Sequence, residues 1–217
     1  MPAQTENRQV FADAFELSDD QMAAFDIYAD LLSRWQAKIN LVGPATLSDI
    51  WTRHFFDSAQ LSTHLPEQAR VLADIGSGAG FPGLVLAVLT AGGTAPRIHL
   101  IESDARKAAF LREASRETGA GAEVLNDRAE NIENLEADVV TARACAPLTR
   151  LLPWTSGLLK ESGTALFLKG GKARDELTEA RKEWTMKAIE IPSQTNNSGV
   201  ILKLENLSPI PRVTRNA

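Results

Sequence analysis

The chain has one cysteine, Cys145, so no intrachain disulfide can staple it. Its three histidines stand at 54, 64 and 99, scattered rather than at metal-ligand spacing, and no metal is expected. No apolar run approaches the roughly 20 residues that a membrane span needs. The segment Met1 to Glu16 is polar and acidic, unlike a signal peptide, which points to a cytoplasmic protein. A global excess of positive charge is missing too: 23 Lys and Arg stand against 28 Asp and Glu, a net of −5. That sum does not suit a protein that coats nucleic acid, but the charge is unevenly spread. Residues 1–30 hold seven acids and one base, so the remaining 187 residues carry +1. Bases gather at Arg34/Lys38, Arg53/His54, Arg106/Lys107/Arg112/Arg116 and Lys169/Lys172/Arg174. Each group is either a solvated face or a local contact for RNA.

What is present suits one α/β domain. With 217 residues, 44% of them hydrophobic, the chain can bury one core with an extension but not two substantial ones. Met1 to Glu16 read as frayed. Ser18 offers a helix N-cap, after which Met22, Phe25, Tyr28, Leu31, Leu32 and Trp35 recur at a helical period. Asn40 to Pro44 break that helix, Thr46 or Ser48 is a candidate cap for a second over Ile50 to Leu61, and Pro66 follows its end. From Ala69 strands and helices alternate, the pattern of a parallel sheet. Strands are predicted over 71–75, 97–101, 123–126, 138–141 and 164–169, with helices over 82–90, 104–117, 148–160 and 174–187. Two last strands, 188–191 and 200–205, read as antiparallel neighbours, and Pro153 is expected at a turn or an early helical position. The expected organisation is a single domain: a helical extension (1–68), a core (69–207) and a tail (208–217).

The strongest local signal runs from Val71 to Gly83. An apolar strand enters a turn containing Gly76, Gly78 and Gly80, where backbone can approach a ligand without Cβ interference, and a helix opening near Pro82 aims its amides at that turn. A dinucleotide fingerprint wants glycine at the sixth place, where this chain has Phe81. The pattern here, Asp74-x-Gly76-x-Gly78-x-Gly80, resembles the S-adenosylmethionine-dependent methyltransferases. That resemblance implies a class I, Rossmann-like α/β fold: a seven-stranded, mostly parallel sheet with the helical extension at its N-terminus.

Glu102 ends the second strand, 26 residues after Gly76, where an acid can accept hydrogen bonds from both ribose hydroxyls; the alternative is a strand-end acid or helix cap. Ala129 and Glu130 follow the third strand at the sheet edge where open sheets bind ligands, and could read an adenine edge. At the end of the fourth strand lies Thr141-Ala142-Arg143-Ala144-Cys145-Ala146-Pro147-Leu148. It lacks the Asp/Asn-Pro-Pro-aromatic motif that orients an exocyclic amine, and the Pro-Cys pair of pyrimidine C5 methylation. Cys145 is therefore expected as a small packing residue. So poor an inventory suits a nucleophile that needs no deprotonation, such as guanine N7, where positioning carries catalysis. Arg143 is the candidate catalytic residue, able to reach a guanine edge, a phosphate or the cofactor carboxylate; its alternative is a structural ion pair with Asp74. Arg53, His54 and Asp57, at helical spacing, either border the base pocket or lock the extension to the core. Lys169 is either a phosphate contact or a solvated strand end.

Asn40-Leu41, Arg53-His54-x-x-Asp57-Ser58, the glycine loop, Glu102-x-x-x-x-Lys107-x-x-Phe110-Leu111, Arg143-Ala144-x-Ala146-Pro147-Leu148 and Leu168-Lys169-Gly170 occur in that order. Together they resemble the ribosomal small-subunit methyltransferase G family, also called GidB, over residues 17 to 207. The resemblance implies methylation of guanine N7 at nucleotide 527 in the 530 loop of 16S rRNA, within the 30S subunit or its precursor. It implies S-adenosyl-L-methionine as cofactor, contacted by Gly76, Phe81, Ala129, Glu130 and Arg143, with Gly78 and Glu102 beside them, and no membrane partner. A monomer is expected. One departure is the tail: Ile210-Pro211-Arg212-Val213-Thr214-Arg215 lacks the glycine and second proline that often close family members.

Rival readings are a methyltransferase for a small metabolite, which the acidic balance would suit, and a non-catalytic RNA-binding assembly factor. An NAD dehydrogenase is disfavoured by Phe81.

Overall fold

The computed structural model describes residues 2–93 and 96–211; the tail residues Arg212 and Arg215 lie outside them. Among the described residues seven strands form one sheet: β1 (Val71–Ile75), β2 (Arg97–Ile101), β3 (Glu123–Leu125), β4 (Ala137–Arg143), β5 (Leu159–Lys169), β6 (Trp184–Pro192) and β7 (Val200–Pro209). Their order is β3-β2-β1-β4-β5-β7-β6. The pairs from β3 to β5 are parallel, and β7 is antiparallel to both its neighbours, so it alone runs backwards. The chain proceeds outward from β1 to β3 and then returns to start β4 on the other side. That reversal leaves a crevice above the C-terminal ends of β1 and β4, where open α/β sheets hold ligands.

Side chains alternate across the sheet, as the period of two demands. Leu72, Leu100, Val139 and Leu166 face one core with the N-terminal helices, α4 (Gly83–Thr90) and α5 (Ala105–Glu117). Ala73, Ile75, Val140, Ala142 and Phe167 face a second core under α6 (Leu148–Leu158) and α7 (Ala173–Ala180). Strands buried on both faces account for the continuous apolar runs.

The N-terminal segment overturns one expectation. Rather than fraying, α1 occupies Pro2–Ala14 and inserts Phe11, fully buried, among Phe15, Phe25, Trp51, Phe55 and Phe56. Burying such a ring contributes about 3 kcal/mol, and Arg8 pairs with Asp26 through two bonds of 2.8 and 2.6 Å. The polar composition of α1 hides this, because a single aromatic carries its docking. Helix α2 (Asp19–Gln36) begins as expected at Ser18, which forms a reciprocal capping box with Gln21.

The next segment is not one regular helix. A 3-10 turn, Pro44–Asp49, precedes a π-helical turn, Trp51–Phe56, then α3 (Asp57–Ala59) and a second 3-10 turn, Gln60–His64. Neither Thr46 nor Ser48 caps it; Thr46 sits inside the first turn. Several boundaries differ, β5 opening at Leu159 and β7 running to Pro209 among them. Pro153 lies inside α6 rather than near its start, and the charged helix ends at Ala180. Trp184 instead opens β6, because its indole packs into the second core while the backbone pairs with β7.

Candidate functional site

The glycine turn after β1 is held from three sides. Asp74, fully buried, accepts from Thr141 Oγ1 at 2.8 Å and from the Gly83 amide at 3.2 Å, tying β1 to β4 and to the start of α4. Burial pushes its carboxyl up to about 6 against those hydrogen bonds. Beneath the turn, the buried Tyr28 hydroxyl donates to the Ala79 carbonyl at 2.5 Å. Gly80 has φ +91, and a Cβ there would overlap the Tyr28 hydroxyl and Leu84. Glu102 closes the third side: one carboxylate oxygen accepts from the Gly78 amide and the other from the Asp104 amide, both at 2.8 Å. The acid is thus buried beside the loop as well as marking the strand end.

A cleft of about 860 Å³ opens above this turn, lined among others by Gly76, Gly78, Phe81, Arg143 and Cys145. Four of the expected cofactor residues therefore meet, and Glu102 reaches them through Gly78. Ala129 and Glu130 do not line the cleft; they form a short turn beyond β3, where Ala129 is buried and Glu130 lies 3.5 Å from Arg128.

Arg143, at the end of β4, is held by three hydrogen bonds. Its Nη1 donates to the Arg53 carbonyl at 2.9 Å and to Asp57 Oδ2 at 3.2 Å, and its Nη2 donates to His54 Nδ1 at 2.7 Å. The alternative reading of Arg143, a structural ion pair with an acid such as Asp74, is realised with Asp57, because the π-helical turn carries the extension over the strand end. A guanidinium only donates, so His54 Nδ1 is an acceptor and Nε2 carries the proton. Nε2 then donates to Thr46 Oγ1 at 2.9 Å, and Thr46 donates onward to the Gly43 carbonyl at 2.7 Å. Burial, Arg143 and Arg53 together lower His54 to about 3, so the ring is neutral. The imidazole stacks on Phe81 at 4.8 Å, Phe81 stacks on Tyr28 at 5.6 Å, and the guanidinium lies 4.7 Å from the Phe81 centroid. Of the motif Arg53-His54-x-x-Asp57, two side chains and one backbone carbonyl do the locking, and all three residues also line the cleft.

Asp57 reaches further. Its Oδ1 accepts from Thr195 Oγ1 at 2.6 Å and from Gln60 Nε2 at 3.0 Å, while Gln60 Oε1 accepts from the Gln194 amide at 3.0 Å. The turn between β6 and β7 is thereby pinned to the extension and forms a wall of the cleft. Sequence reasoning missed this wall. A run of small polar residues between two strands carries no signal of what it will touch.

Lys169 lines the cleft and is not a solvated strand end. Its side chain is 10% exposed and donates to the Ala146 carbonyl at 2.7 Å and to Glu176 at 2.8 Å, so it braces the loop after β4 from inside. Cys145 is an exposed residue, not a packing one, although its thiol stands against Gly76, where a Cβ would overlap Sγ. Partial burial raises the thiol's pKa.

The family model of rRNA small subunit methyltransferase G (GidB) matches residues 21–201. The chain belongs to this family. The ribosomal RNA small subunit methyltransferase G of Rhodospirillum centenum is 51% identical over 96% of the chain and 95% of its own length. That of Paramagnetospirillum magneticum is 53% identical over 88% and 92%. Among solved structures, an O-methyltransferase from Bacillus cereus in complex with SAH aligns with TM-score 0.59 at 15% identity, covering 91% of the chain and 96% of that protein. The 16S rRNA N2 G1207 methyltransferase of Thermus thermophilus, in complex with AdoMet and guanosine, aligns with TM-score 0.53 at 14% identity, over 71% and 40%. The fold is that of the class I methyltransferases, an α/β sheet with helices on both faces. Among the described residues no helix is long and apolar enough to cross a membrane.

Proposed function

We propose that the chain methylates N7 of guanine 527 in 16S rRNA, acting as a monomer on the 30S subunit or its precursor in the cytoplasm. The observation that carries the class of reaction is family membership over residues 21–201, which makes the chain a methyltransferase of small-subunit rRNA. The particular nucleotide and atom rest on the family resemblance and on the chemistry of the cleft.

The cleft fits S-adenosylmethionine. Its size lies in the range of nucleoside-sized sites. Gly78 has φ +56, and a Cβ there would meet only the Gly76 carbonyl, at 3.7 Å, so the loop presents bare backbone. Gly76, Gly78 and Phe81 would hold the adenosyl side, Glu102 the ribose hydroxyls and Arg143 the carboxylate, with the adenine edge reaching past the cleft lining to the turn of Ala129 and Glu130. When bound, the cofactor supplies a methyl activated by a sulfonium. The protein's own residues position and desolvate. Guanine N7 offers a lone pair in the base plane and loses no proton on methylation, so no general base is required. His54, neutral and bonded at both nitrogens, is built as a spacer rather than a base. Arg143 has five N–H donors, of which three are engaged; two remain for the base edge or the carboxylate.

The test is transfer of labelled methyl to isolated 30S subunits, naked 16S rRNA and a metabolite panel, with the modified nucleotide mapped. N7-methylguanosine at 527 in rRNA is expected. Label in small molecules alone would overturn the reading.

A further inference from the structure

Two cations that line the cleft, Arg53 and Lys107, and two beside its wall, Arg34 and Lys38, make no ion pair among the described residues. Arg34 lies in the last turn of α2 and Lys38 just beyond it, both exposed. Between them Gln36 ties this end of the helix to the cleft wall: its Oε1 accepts from the Leu41 and Val42 amides at 2.9 and 3.0 Å, and Leu41 and Val42 line the cleft. Trp35 meets Phe110 of α5 edge-on at 5.8 Å, which brings Lys107, one turn earlier and itself a lining residue, to the same rim. Arg53, exposed on the π-helical turn, lines the cleft as well.

Among the described residues none of these four side chains has an ion-pair partner. By contrast Arg8, Arg143, Lys169, Arg174 and Lys182 each do. The nearby acids make their close contacts with other groups, although the charge of Asp104 is felt by Lys107. Asp104 caps α5 through the Arg106 and Lys107 amides at 2.8 and 3.2 Å, Asp49 accepts from Asn7 at 3.2 Å, and Asp57 holds Arg143. Asp30 is exposed one turn before Arg34 and makes no ion pair with it among the described residues. Of the other acids of α2, Asp19 and Asp20 lie at its far end and Asp26 near its middle, paired with Arg8. An 18-residue helix is roughly 27 Å long, so α2 changes sign along its length, and its positive end is the one tied through Gln36 to the cleft wall.

We propose that Arg34, Lys38, Arg53 and Lys107 form a rim that holds the sugar–phosphate backbone of the RNA strand delivering its base to the cleft. This rests on the reading of rRNA as substrate and says how that substrate is held. In A-form RNA a guanine N7 faces a deep, narrow groove that side chains cannot enter, so the target must be presented unstacked. The phosphates flanking an unstacked base are what a rim of unpaired cations around a cleft meets. The acidic far end of α2 repels the same polyanion, which gives the strand one orientation. A chain with no overall basic excess thereby acquires a local RNA contact.

The experiment compares the full-length wild type with the double variant Arg34→Gln/Lys38→Gln in methyl transfer to 30S subunits across salt concentrations. Binding of S-adenosylhomocysteine is measured alongside. The variant is expected to raise KM about tenfold near 0.15 M salt and to flatten the logarithmic salt dependence by about 1.4 to 1.8. The kcat and the S-adenosylhomocysteine affinity are expected to hold, which separates lost RNA contact from misfolding. Arg174→Gln/Lys182→Gln, which removes two cations already paired with carboxylates, is expected to change neither KM nor slope. Unchanged KM and slope in Arg34→Gln/Lys38→Gln, or an equal loss in the paired-cation control, overturns the rim. If the wild type itself transfers no methyl to rRNA, the reading of the substrate fails, and the rim with it.

Discussion

Arg143 Nη1 lies 3.2 Å from Asp57 Oδ2, joining the end of β4 to a helical turn 86 residues earlier in the chain. The two side chains are 15% and 18% exposed, so neither charge is well solvated without the other. The same carboxylate holds Thr195, and the cleft is therefore assembled from the extension, the sheet and the last hairpin at one acid.

Asp57→Asn should destabilise the protein by about 2–3 kcal/mol, somewhat below the usual cost of stranding one partner of a fully buried pair. Urea unfolding, with an unchanged m-value, measures it. A loss under about 0.5 kcal/mol would mean that the pair behaves as a surface one.

Gly80 and Tyr28 should be energetically coupled. Gly80→Ala is expected to cost about 2–4 kcal/mol, from the overlap with the Tyr28 hydroxyl and Leu84 and from the positive φ. Tyr28→Phe alone strands the Ala79 carbonyl, at about 1–2 kcal/mol. The double variant should fall short of the sum by at least about 0.5 kcal/mol, since the hydroxyl is absent where the methyl arrives. Strict additivity in denaturation would refute the close approach.

Two buried groups should give stability slopes of opposite sign with pH. His54 titrates at about 3 in the folded chain against 6.5 ordinarily, so its contribution is complete above pH 6.5 and is lost as pH falls towards 3. Asp74 titrates at about 6 against 3.8, so its contribution is complete below pH 3.8 and is lost as pH rises through 6. Relative to wild type, His54→Gln should make stability fall more steeply with rising pH between 4 and 6, and Asp74→Asn should do the reverse. Chemical denaturation at pH 4, 5, 6 and 7 reads both differences; the same sign in the two variants would contradict the assignments.

Cys145 should react slowly with N-ethylmaleimide at pH 7, because its thiol pKa is raised, and faster at pH 9. Its adduct should abolish S-adenosylhomocysteine binding, since Sγ abuts Gly76. Excess S-adenosylhomocysteine should protect the thiol, as followed by intact mass. Labelled protein that binds the compound with full affinity would move the cofactor away from this part of the cleft.

Local chemistry made much of this legible. The apolar run before Gly76, the regular return of strands and helices, and the capping residue Ser18 are short-range signals, and they locate the sheet, its crevice and α2. The glycine turn is likewise legible, because a run of glycines between a strand and a helix is a short-range pattern. The docking of α1 was not, since one buried Phe11 outweighs a polar helix only once Trp51 and Phe55 surround it.

The amino-acid order by itself determined the strands of the sheet, the glycine turn and α2, because caps, periodicity and glycine conformations act within a few residues. Only tertiary structure decided who meets whom. It paired Arg143 with Asp57 rather than Asp74, turned Lys169 inward, set Ala129 and Glu130 outside the cleft lining, and made the Ser193–Gly199 turn a wall. Those outcomes depend on packing angles between distant segments. A charge buried by such packing takes whichever partner the geometry brings within about 3 Å, because leaving it unpaired costs more than any local preference.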